Sequence, residues 1–136
     1  MKKILILLAC ITLTTFSFPS QSKVRDYSAK YEKCLENGIS GSEIRTCMED
    51  EQKLLDKRLN RAYANLSKIE TPERKIQLLT AQKLWVQYQK TNCNFYADPD
   101  GGTMVLEDAG DCFLASTLNR AKELEYFLFL RKQNRP

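Results

Sequence analysis

The chain has 136 residues, with 21 Lys plus Arg, 17 Asp plus Glu, five Cys and no His. That length fits one domain and excludes a large multidomain enzyme. Without histidine there is no Ser-His-Asp or Cys-His triad and no histidine-containing zinc site.

Residues 1–22 have the pattern of a secretory signal peptide, with Lys2 and Lys3 at the charged start, an apolar run from Ile4 to Ile11, and Ser20 and Ser22 before a cleavage expected after Ser22. Thr12, Thr14, Thr15 and Ser17 dilute the run before Pro19, so it falls short of a membrane anchor and no stable span is expected after cleavage. Leu7-Leu8-Ala9-Cys10 has the form of a lipoprotein box, but the apolar stretch continues past Cys10, which weighs against acylation there. Cleavage removes Lys2 and Lys3 and no acid, lowering the formal net charge from +4 to +2. It leaves Cys34, Cys47, Cys93 and Cys112, an even set that reads as two disulfides in an exported chain.

In the remaining 23–136, read as one helical domain, Gly and Pro occur only at 38, 41, 72, 99, 101, 102, 110 and 136. Leu and Ala far outnumber Ile and Val, which favours helix over strand. A short helix carrying Tyr27, Tyr31 and Cys34 is expected before Gly38. A long helix over 42–70 opens on a capping box formed by Ser40 and Glu43, and its apolar stripe runs through Ile44, Cys47, Met48, Leu54, Leu55, Leu59, Ala62, Tyr63, Leu66 and Ile69. Thr71 and Pro72 end that helix and start the next, over 72–97, with Ile76, Leu78, Leu79, Trp85, Val86 and Tyr88 on a broad apolar face. The two form a long central hairpin. A last helix is expected from about Asp111 to Arg131, with Ala115, Leu118, Ala121, Leu124, Phe127 and Leu128 inward and Arg120 outward. The expected fold class is all-α, a small disulfide-bonded bundle of about four helices.

On one continuous helix Cys34 and Cys47 would lie about 20 Å apart, beyond the reach of a disulfide, so Gly38 and Gly41 must turn the chain between them. Pro99, Gly101, Gly102 and Gly110 do the same between Cys93 and Cys112. The expected pairs are therefore 34–47 and 93–112. The spacings lack the close cysteine pairs of zinc sites, and no Cys-x-x-Cys is present for redox catalysis.

Between Lys90 and Arg120 there is no base, while Asp98, Asp100, Glu107, Asp108 and Asp111 give the stretch a charge of −5 and leave the rest of the mature chain at +7. The expectation is an acidic loop, pinned at its base by Cys93–Cys112 and pre-organised to meet a basic partner. A loop merely solvated by its charges is the plainer reading. An EF-hand frame from Asp98 puts Thr103 and Ala109 where Gly and Glu belong, which argues against calcium, and no metal or other cofactor is expected. Trp85 and Tyr88 are expected in the core and Phe95 and Tyr96 at the rim. The bases are interspersed with acids and form no arginine-rich stripe, so nucleic acid is not an expected partner.

Cys34, Cys47, Leu59-Asn60, Tyr63, Ala81-Gln82, Trp85, Tyr88 and Cys93, followed by Gly101-Gly102, Cys112, Thr117, Arg120 and Leu124, resemble the family named for the N-terminal domain of the lysozyme inhibitor LprI. Gln89 departs from the arginine that often follows the tyrosine there. The resemblance implies an exported, helical, disulfide-bonded domain in which Asn60, Gln82 and Arg120 are buried polar positions. It also implies a periplasmic or secreted non-enzymatic binder, with lysozyme or another basic cell-wall-active protein as partner. The alternative is an envelope interaction or stress module, or a toxin-neutralising protein, without lysozyme contact.

Overall fold

The structure, a computed structural model, describes residues 26–37, 40–98 and 100–134. The signal segment 1–22, the turn residue Gly38 and Pro99 lie outside the described residues. Four helices follow in order: α1 (Ala29–Glu36), α2 (Gly41–Ile69), α3 (Pro72–Tyr96) and α4 (Met104–Gln133). The all-α, disulfide-bonded bundle is the observed architecture, with no strand among the described residues.

Local chemistry sets each boundary. Ser28 caps α1 by accepting from the amide of Tyr31 at 3.1 Å, and its own amide donates to Glu51 of α2 at 2.8 Å. Glu51 is only 3% exposed, so this carboxylate anchors the start of α1 inside the bundle. The Cys34–Cys47 disulfide, with Cα atoms 6.4 Å apart, ties down the other end. The Ser40–Glu43 capping box starts α2, whose 29 residues span about 44 Å. Thr71 caps α3 through its side chain, and Pro72 occupies a first-turn position where its missing amide hydrogen costs nothing.

The fourth helix corrects the sequence reading. It begins at Met104, not near Asp111, so Gly110 is helical. A Cβ at Gly110 would stand 2.8 Å from Met48 Sδ, so the glycine lets the Met48 side chain of α2 pack directly against α4, and any larger residue would require Met48 to shift. The turn before α4 is made instead at Gly102, which has φ +78°. Glu107 then falls in the first turn of α4, where an acid complements the helix dipole, and Asp108 and Asp111 follow in the next turn.

The long hairpin of α2 and α3 is held together through α4, which packs along α2 and also carries α3, while α1 lies on α2. The chain directions make α2 and α4 parallel: Arg45 pairs with Glu107, Arg58 with Glu125 and Glu70 with Arg131. One apolar layer joins Tyr31, Met48, Leu55, Leu114 and Leu118; a second joins Leu59, Ala62, Leu66, Ala121 and Leu124. Thr117, between Leu114 and Leu118 of the first layer, connects three helices, accepting from Gln52 of α2 and Gln89 of α3 at 2.8 Å each and donating to the Phe113 carbonyl. Gln89, the departure from the family pattern, thus has a structural role of its own.

Because α3 rests mainly on α4, a narrow stripe suffices to hold it. Cys93 is its one fully buried residue, with Leu78 and Trp85 half-buried against the second layer. The broad apolar face expected for α3 is therefore not covered: Ile76, Leu79, Val86 and Tyr88 are exposed. Leu54, Ala115 and Phe127 are also exposed rather than inward, and Asn60 is exposed rather than buried. Arg120 is buried instead of outward, donating to Gln82 at 3.1 Å and pairing with Glu123 at 2.7 Å, as the resemblance implies for Gln82 and Arg120.

Candidate binding groove and acidic pole

The five acids named from the sequence do not share one loop. Asp98 and Asp100 lie in the α3–α4 connection, where Asp98 Oδ1 accepts the Asp100 amide at 3.0 Å and the Asp98 carbonyl accepts the Gly101 amide at 3.1 Å. Through these bonds Asp98 helps shape the turn itself. Glu107 is half-buried and paired with Arg45 at 3.3 Å. Counting charge along the chain could not reveal that a base from α2 sits there. Asp98, Asp100, Asp108 and Asp111 remain without an ion-pair partner among the described residues.

Asp108 and Asp111 are three residues apart and so share one side of α4. Burial, followed by the neighbouring Asp108 and Glu107 charges, raises the Asp111 carboxyl above the ordinary aspartate range. Its field reaches α1 as well: burial first and Asp111 second push the Tyr31 phenol up to about 12. No ion pair among the described residues offsets these influences on Asp111.

Both acids line a groove of about 750 Å³ between α3 and α4. Its α3 wall carries Trp85, Tyr88 and Tyr96, and its α4 wall carries Asp108, Asp111 and Asn119. Tyr88 is 62% exposed and Tyr96 49% exposed, so the placement of Tyr88 in the core is corrected: its ring looks onto the groove. Trp85 turns one side to the second apolar layer and also lines the groove. Phe95, at 82% exposed, stands at the rim in edge contact with Tyr96.

The Cys93–Cys112 disulfide joins the two walls near their acidic end, with Cα atoms 5.4 Å apart, and Asn92 donates to Cys112 Sγ at 3.5 Å. Beyond Arg120 and Glu123 the groove meets a second hollow of about 450 Å³, whose lining includes Leu78, Leu124 and Phe127. The groove thus presents exposed aromatic side chains on one wall and carboxylates on the other, on a covalently braced frame. Sequence reasoning missed Asn92 and Asn119. Asn119 becomes legible only once α4 is carried back through Gly110, which brings it onto the side of Asp108; Asn92 enters because α3 faces that same groove.

Among the described residues no group of three or more Cys, Asp or Glu side chains is arranged to hold a metal ion. No described helix is long and apolar enough to cross a membrane. No curated protein and no solved structure matches the chain. The family model described as Lysozyme inhibitor LprI matches residues 34–124, from the first paired cysteine to a fully buried leucine of α4, and the chain belongs to that family.

Proposed function

We propose that this chain is an exported binding protein, periplasmic or secreted, that inhibits lysozyme or a related cell-wall hydrolase. Family membership over 34–124 carries the reading, because the family is described by lysozyme inhibition. The structure supports it in two ways. The disulfides Cys34–Cys47 and Cys93–Cys112 suit an oxidising compartment. The pole formed by Asp98, Asp100, Asp108 and Asp111 suits a basic partner, whose approach it would accelerate by long-range attraction.

The action is steric and electrostatic, with no chemical step. A rigid acidic surface docks over the hydrolase cleft and excludes its substrate. Glu107 contributes less than the other acids because Arg45 already neutralises it. An inhibition titration with several lysozyme types tests the reading. Binding tighter than about 10 μM, equivalent to roughly −7 kcal/mol, is expected, and no binding to any type at that concentration refutes it.

A further inference from the structure

We propose that the outward face of α3 is a self-association surface, on which a second copy of this chain seats its own α3 antiparallel, with the two-fold axis at the level of Val86. The inference goes beyond the proposed inhibition and does not depend on it.

Because α3 packs mainly on α4, its opposite side is uncovered. Residues alternately three and four apart from Arg74 to Asp98 are all exposed there, a heptad-type seam about 36 Å long. Leu84, Tyr88 and Phe95 are its large apolar members, each more than 60% exposed, and no seam position between Arg74 and Asp98 is charged. The other exposed stripe of α3, Ile76, Leu79 and Val86, is interrupted by Lys83 and Lys90.

The symmetry of the seam selects the occupant. Laid antiparallel on itself about Val86, it sets Leu84 against Tyr88, Ala81 against Thr91 and Gln77 against Phe95, each pair occurring twice. Its ends then bring Arg74 of one copy to Asp98 of the other. Arg74 is 53% exposed, bonded to Gln77 and no nearer than 3.6 Å to Glu70, and Asp98 has no ion-pair partner among the described residues. Parallel pairing would instead stack Arg74 on Arg74 and Asp98 on Asp98, which like-charge repulsion opposes. Three large apolar side chains per copy place the contact near the lower end of specific interfaces, roughly 1,200 Å² in total, and a dissociation constant of about 10–100 μM is expected. Tyr88 also lines the α3–α4 groove, so pairing covers part of that wall and hydrolase binding falls to the monomer, the prevailing form at low micromolar concentration.

Sedimentation equilibrium of the disulfide-intact exported protein is the test, with the average mass expected to rise from monomer at about 5 μM toward dimer at about 500 μM. Leu84→Glu and Phe95→Glu, both at exposed positions, should each weaken association at least about tenfold and leave the melting temperature at about 5 μM unchanged. A nitroxide attached at Gln77→Cys of an unlabelled copy, mixed with isotope-labelled protein, should broaden the amides around Phe95 of the labelled copy. Broadening centred on residue 77, broadening away from α3, or none overturns the proposal. So does association that survives both substitutions, or a monomer at every concentration, including one that instead binds phosphatidylglycerol vesicles through this face. No lysozyme is present, so failure here leaves the proposed inhibition standing, and a dimer that inhibits no lysozyme leaves this inference standing.

Discussion

The two faces of α4 do different work. Toward α2 it is packed in continuous apolar layers, with Gly110 against the Met48 side chain, and three ion pairs, Arg45–Glu107, Arg58–Glu125 and Glu70–Arg131, follow the seam. Toward α3 it makes a narrow contact, clamped by Cys93–Cys112 and tied by Arg120–Gln82 and Thr117–Gln89, with a groove open beside it. One face spends its side chains on burial and holds the fold. The other leaves aromatic and acidic groups facing solvent, an arrangement that adds little stability and suits recognition. In the function proposed above, stability and binding fall on two sides of one helix, and substitutions on one side should leave the other's property unchanged.

The largest expected effect is on the packed side. Leu124 is 1% exposed, and Leu124→Ala should destabilise the protein by about 2–5 kcal/mol in urea unfolding. Leu84→Ala, at an exposed position on α3, should change stability by less than about 0.5 kcal/mol. Similar losses from the two would erase the contrast between the faces. Replacing Cys93 and Cys112 together by alanine should cost about 3 kcal/mol through the unfolded chain and loosen the groove, seen as faster amide exchange at the end of α3. A smaller loss, about 1–2 kcal/mol, is expected for Gly110→Ala, where overpacking against buried Met48 outweighs the gain in helix propensity.

The smallest effect concerns pH. The folded-state pKa of Asp111 is raised above its ordinary value of 3.8, so its favourable contribution is complete below that value and is lost as pH rises through the raised one. Asp111→Asn should therefore raise the melting temperature slightly at neutral pH and flatten its dependence just above pH 3.8, on thermal unfolding across a pH series. A lower melting temperature at neutral pH would mean that the charge is already compensated.

How much of this was legible beforehand follows from what each residue type reveals. Ser40 and Glu43, and Thr71 with Pro72, mark helix starts by local hydrogen bonding, and the sequence shows those boundaries directly. Gly110 misleads because a glycine demanded by a neighbouring helix looks the same as one that ends a helix; Met48, more than 60 residues away, makes the difference. The face of α3 misleads because periodicity reports where apolar residues are and not how many neighbours come to cover them. Arg120 reads as charged and hence outward, yet its cross-helix bond to Gln82 allows it inside, and Thr117 is buried through bonds to Gln52 and Gln89 that its sequence position does not reveal. At the candidate site the acids were all visible as residues. Their division between a turn, an ion pair to Arg45 and a groove wall depends on partners supplied by other helices.

The central claim, that the acid–aromatic groove of α3 and α4 is what the partner meets, is tested most directly by comparing lysozyme binding of the unaltered protein with a variant carrying both Tyr88→Ala and Asp108→Asn. The account predicts at least about a tenfold loss of affinity, about 1.4 kcal/mol, with a shallower salt dependence and an unchanged melting temperature. Equal affinity with the same salt dependence would contradict it.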